Sequence, residues 1–115
     1  LRSAHSAIDG NLHEIVLTVT VEAKEKSADK TLFLAELHQG GLFDIGGYEK
    51  EELSAIIGSF CPNILFPYAR EAIASMIQKG GFPEFMLQPI NFDALYMQQV
   101  QAQRARAEKA AAETH

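Results

Sequence analysis

The chain predicts an α+β fold, an antiparallel β-sheet backed by two helices, on three observations. Apolar and polar residues alternate over positions 13–23 and again over 30–39; a six-residue polar turn, KEKSAD, joins the two segments; and residues 49–60 and 64–78 carry apolar side chains at helical spacing. Strands joined by so short a turn are antiparallel neighbours. At 115 residues the chain is a single domain's worth, and a monomer of this size buries about 65% of its unfolded surface.

In the first strand, His13, Ile15, Leu17, Val19, Val21 and Ala23 point one way, while Glu14, Val16, Thr18, Thr20 and Glu22 point the other. In the second, Thr31, Phe33, Ala35 and Leu37 share one face, and Leu32, Leu34, Glu36 and His38 the opposite one. Gly40-Gly41 interrupts the pattern, as expected of a bulge or sharp bend, and residues 42–45 read as a short third strand ended by Gly46-Gly47. Leu53, Ile56, Ile57 and Phe60 form the stripe of a first helix whose start carries Glu49, Glu51 and Glu52, where the helix dipole favours negative charge. Cys61-Pro62-Asn63 is expected to break that helix. A second helix over 64–78 stops at Gly80-Gly81 and Pro83, with Pro67 a local conflict. A last helix opens after Asn91, its candidate cap, with Asp93 in the first turn and Phe92, Leu95, Tyr96 and Val100 as its stripe. Residues 1–100 read as one domain. Past Val100 nothing large is apolar, so 101–115 is expected to fray into solvent as an Ala/Gln/Arg tail.

Three surfaces stand out. The middle helix is apolar nearly all round, with only Arg70, Glu71, Ser75 and Gln78 as a polar stripe, so one small sheet cannot cover it and a second subunit is expected. The loop over 80–89 holds Phe82, Phe85, Met86 and Leu87, where loops are normally polar; it is either a lid on its own core or the lining of an apolar groove. The outward sheet face carries Glu14, Glu22 and Glu36 beside Leu32 and Leu34, either a plain solvated face or an acidic docking surface.

Composition removes several classes of function. Hydrophobic residues at 47% and charged residues at 22% exclude a disordered chain, and a net charge of -5 has the wrong sign for a nucleic-acid binder. The single Cys61 excludes a disulfide framework and fits a reducing compartment. No apolar run is long enough to span a membrane, and the start has neither a signal-peptide core nor a Met, so the chain reads as part of a longer protein. The four histidines, at 5, 13, 38 and 115, fall in no metal-ligand pattern; Cys61 has no neighbouring His; and the paired glycines match no phosphate cradle. No enzyme chemistry and no cofactor are expected.

The run Cys61-Pro62-Asn63-Ile64-Leu65-Phe66-Pro67-Tyr68-Ala69-Arg70-Glu71, followed by Phe82-Pro83 and by the segment from Pro89 to Tyr96, closely resembles the SecB family of protein-export chaperones, and so does the segment from Phe33 to Phe43. The resemblance covers roughly residues 8–98. It implies a four-stranded antiparallel sheet, of which three strands are visible here, two helices, and assembly as a homotetrameric dimer of dimers in the cytoplasm. It implies ATP-independent holding of unfolded precursor proteins and their delivery to the motor SecA. The client groove would take Leu42, Phe43, Tyr48, Phe82, Phe85, Met86 and Leu87; SecA would dock at Leu34 and Glu36, to which the outward pattern adds Glu14 and Glu22. Phe33, Ala35, Leu37 and Gln39, with Leu65, Tyr68, Ala72 and Met76 of the middle helix, would form the subunit interface. The family's N-terminal strand and crossover segment appear to be missing, with residues 1–11 at most their tail. Two rival roles remain, a SecB-like chaperone dedicated to the antitoxin of a toxin–antitoxin system, and an adaptor oligomer whose apolar loop only packs internally.

Overall fold

A computed structural model describes residues 1–27, 30–83 and 86–113. The elements run β1 (Arg2–Asp9), β2 (Leu12–Glu25), β3 (Lys30–Asp44), α1 (Lys50–Ala55), a π-helical turn (Ile56–Phe60), α2 (Cys61–Lys79) and α3 (Phe92–Glu113). Among the described residues the strands form one antiparallel sheet in the order β1-β2-β3. Central β2 is the strand with the clearest alternation: His13, Ile15, Leu17 and Val19 are buried on its inner face.

β1 corrects the reading of residues 1–11 as a mere tail. It pairs with β2 through a two-residue turn at Gly10-Asn11, where Gly10 sits at φ 55°, a conformation glycine adopts without steric cost. Every residue of β1 is exposed, so it carries no hydrophobic period.

The expected bend at Gly40-Gly41 and separate strand over 42–45 are also corrected. β3 runs through both glycines in unbroken register, Val16 opposite Gly40 and Ile15 opposite Gly41. Gly41 is instead a point of close approach. A Cβ there would come within 2.7 Å of the Leu65 side chain, so its absence lets α2 settle onto the sheet.

The predicted break at Cys61-Pro62-Asn63 does not occur. Pro62 has no N–H for the carbonyl four residues back and its ring would crowd it. The chain accommodates this by widening into the π-helical turn just before, where the Cys61 N–H bonds the Ile56 carbonyl, and α2 follows without interruption.

Asn91 caps α3 as expected, its Oδ1 accepting the Ala94 N–H at 3.0 Å. The helix then crosses position 100 and continues to Glu113, so residues 101–113 are helical rather than frayed, and 101–112 are exposed. Gly58 in the π-helical turn holds α3 close, since a Cβ there would collide with the Tyr96 ring. Asp93 accepts a hydrogen bond from the buried Ser59 hydroxyl, and the Tyr96 hydroxyl donates to Ser54 at 3.1 Å.

The core lies between the inner sheet face and α2: Ile15, Leu17, Val19 and Ala35 against Leu65, Phe66, Ala69, Ile73 and Ile77, closed by Phe92 edge-on to Phe66. The accessible surface is 8331 Å², whereas a compact monomer of 12.7 kDa exposes about 6,200 Å². The radius of gyration is 18.0 Å against about 13 Å for a compact domain of this length. A single copy leaves far more surface uncovered than its size requires.

Candidate functional site

At one end of the inner face, β3 and the loop after it meet the π-helical turn around a cavity of about 350 Å³, lined by Phe43, Asp44, Ile45, Tyr48, Ile56, Phe60 and Cys61. Its rim is apolar and open, with Tyr48 and Phe60 each more than half exposed. Phe43 and Tyr48 come together here. Leu42 does not: the unbroken pleat turns it to the outer sheet face, opposite Glu14.

Phe82 and Leu87 lie elsewhere. Phe82 is half-buried with its ring 4.6 Å from that of Phe33, and Leu87 and Ile90 pack partly against the core, while Met86 is exposed. Phe85 lies outside the described residues. Phe33 and Phe43 are ten positions apart on one strand, so about 34 Å of sheet separates the two clusters. Any chain touching both must be extended.

The four acidic-face residues also divide. Glu22 is the cross-strand neighbour of Leu34, and Glu36 follows on the same face of β3. Lys24 lies 3.8 Å from Glu22, which also accepts a hydrogen bond from Thr31, and His38 lies 3.3 Å from the Glu36 carboxylate and shares a hydrogen bond with Thr18. Glu14 is about 27 Å from Glu22 along β2, beside Leu42. Leu32, Leu34 and Leu42 are all exposed, Leu34 at 63%.

On the side of α2 away from the sheet, Phe60, Ile64, Tyr68, Ala72 and Met76 form one ridge at i, i+4 spacing. Phe60 (58% exposed), Tyr68 (65%), Met76 (42%) and Ile64 (40%) stand open, and Ala72 is partly covered. Such a ridge fits between the side-chain rows of a second helix. Leu65 and Ala35 are instead consumed by the chain's own core, and Phe33 and Leu37 pack against it. Gln39 is half-buried and its amide donates to the Gly40 carbonyl at 3.3 Å. Phe60 and Ile64 continue the row of Tyr68, Ala72 and Met76 toward the start of α2, at an i+4 spacing visible in the sequence. The cavity residues Ile45 and Ile56 left no such signal, because the fold alone brings them together.

The Cys61 thiol is fully buried, and that burial raises its pKa above the ordinary value, so it is a packed side chain rather than a nucleophile. Among the described residues no three His, Cys, Asp or Glu side chains converge to hold a metal ion, and no helix is long and apolar enough to cross a membrane.

Comparison with known proteins gives these surfaces a context. The family profile for SecB, the preprotein translocase subunit, matches residues 1–103. The protein-export protein SecB of Nitrosococcus oceani is 50% identical over 105 residues, 91% of this chain and 63% of that protein. Those of Methylococcus capsulatus and Alcanivorax borkumensis are 48% and 46% identical, over 96% and 97% of the chain and 70% and 71% of their own lengths. The chain therefore spans roughly two thirds of the relatives it matches. A match over nearly all of its own length, at close to half identity, makes this chain a member of the SecB family.

Proposed function

We propose that the protein is an ATP-independent chaperone that holds precursor proteins unfolded for export and passes them to the SecA motor. The observation that carries this is the open apolar rim of the Phe43–Tyr48–Phe60 cavity, on a chain whose relatives are named for protein export. An unfolded client offers extended segments with exposed apolar side chains, each worth about 1.5–3 kcal/mol when covered. A folded client has buried the same groups and does not compete.

In this reading the groove runs from Phe43 and Tyr48 toward Phe82, Met86 and Leu87, a length that selects extended chain over compact structure. Many weak contacts over several subunits supply avidity without any tight site. The subunits assemble as a dimer of dimers through the ridge from Ile64 to Met76, which accounts for the excess accessible surface. SecA docks on the outer face at Glu22, Leu34 and Glu36, where acidic and apolar groups adjoin, so motor and client occupy opposite sides of the sheet. The work belongs to the cytoplasm, where export begins and where a free Cys61 stays reduced. The relatives' names favour general export over service to a single antitoxin.

The test is refolding of a slow-folding precursor diluted from denaturant. Excess protein should slow its refolding without ATP, while a mature, fast-folding version should be unaffected. Equal refolding rates with and without the protein would refute the function.

A further inference from the structure

His38 stands inside the proposed motor-docking face without a task of its own. The register lays three outer-face residues across the sheet in one row: Arg2 of β1, Thr18 of β2 and His38 of β3. Glu36 is two positions from His38 on the same strand, opposite the uncharged Thr20, and Glu22 with Leu34 forms the next pair along. Thr18 is buried, and its Oγ1 lies 2.8 Å from His38 Nδ1; on the other side of the ring, His38 Nε2 lies 3.3 Å from Glu36 Oε1.

These two contacts assign the ring's hydrogens. A carboxylate only accepts, so Nε2, which faces Glu36, carries the proton of the neutral ring. Nδ1 then offers a lone pair, and the Thr18 hydroxyl donates to it. Protonation adds a hydrogen at Nδ1, and the same hydroxyl turns to accept it. Both ring states fit one geometry, so what changes is charge, with no strand to move. Histidine is also the side chain whose ordinary titration falls between about pH 5 and 8. Of the charged groups facing this row, β3 supplies Glu36, β1 supplies Arg2, and β2 supplies Glu22 with Lys24 at 3.8 Å from it; α2 packs on the opposite face of the sheet. Beside Leu34, those two carboxylates and one ammonium leave a net negative charge that attracts a cationic partner. An imidazolium cancels it, and its Nε2–H binds the carboxylate that the partner needs.

We propose that His38 is a positioning residue that makes motor docking pH-dependent: as the neutral imidazole it holds the Glu36 carboxylate ready for a cationic group of SecA, and as the imidazolium it takes that carboxylate for itself. This role rests on the reading of the outer face as the SecA-docking surface.

The test is a binding titration of the full chain with SecA at about pH 7.5 and about pH 5.5, comparing the parent with His38→Gln and Glu36→Lys. Glutamine can donate to Glu36 and accept from Thr18, but it does not titrate. Parent and His38→Gln should bind alike at the higher pH. At the lower pH the parent should lose about tenfold more affinity than His38→Gln, a difference in which the titration of SecA itself cancels. His38 is exposed, so the glutamine variant keeps its sheet, as circular dichroism would verify. Without SecA, the ring-nitrogen resonances of His38 at the higher pH should report the Nε2–H tautomer. Parallel pH profiles for parent and His38→Gln, or the Nδ1–H tautomer, would overturn the role of His38 and leave the docking face standing. Unchanged SecA binding by Glu36→Lys at the higher pH would remove the docking face itself, and the role of His38 with it.

Discussion

Replacing Tyr68 by Ala separates the two ways the middle helix could hide its apolar surface. Tyr68 is 65% exposed in the single chain, so its truncation should change the folding of one copy by less than about 0.5 kcal/mol. An aromatic side chain offers about 150–250 Å² for burial, which leaves roughly 130 Å² of Tyr68 for a partner to cover. At about 25 cal/mol per Å² that is about 3 kcal/mol per copy. Each 1.4 kcal/mol is about tenfold in association, so the variant's subunit dissociation constant should rise by about 100-fold or more. Sedimentation equilibrium across a concentration series reads the shift, with far-UV circular dichroism as the check on fold. An unchanged assembly, or a loss of secondary structure instead, would refute the claim that this ridge is the interface.

Other perturbations probe the parts separately. Gly58→Ala puts a methyl group against the Tyr96 ring and should destabilise the docking of α3 by about 1–3 kcal/mol, read as a lowered Tm. Glu36→Lys and Leu34→Ala should weaken SecA binding, whereas Glu14→Lys, at the other end of the face, should leave it unchanged in a binding titration. Cys61 should resist alkylation in the native state and react in denaturant. Its thiol pKa is raised by burial above the ordinary 9.0, so the unfolded chain loses that proton first as pH rises. The stabilisation is complete below pH 9 and is lost as pH climbs through the native value; Cys61→Ala should remove that alkaline slope in a denaturant series.

The strands and their faces were readable because half-burial writes itself as alternation: His13, Ile15, Leu17 and Val19 are buried at every second position, and the Asn91 cap follows from side-chain chemistry three residues away. β1 escaped because a strand exposed on all its residues carries no such period, although Asp9-Gly10-Asn11 was a hairpin turn signal. Gly40-Gly41 misled because a glycine that admits a neighbouring helix looks, in one dimension, like a glycine that bends a strand. Pro62 misled for a related reason, since a wider turn upstream can absorb a missing N–H. The candidate site was only half legible. The resemblance groups Leu42, Phe43 and Tyr48; the structure puts Phe43 and Tyr48 on one cavity, but separating Leu42 from them, or Glu14 from Glu22, required the register across that unbroken strand.

Mass measurement under native conditions, with and without an unfolded precursor, bears on the central claim that this chain has more apolar surface than one copy can cover and uses it for assembly and capture. Four copies in one particle, gaining the mass of one extended client and none from its folded form, is the predicted result. A compact single chain whose mass is the same in the presence of denatured precursor would contradict it.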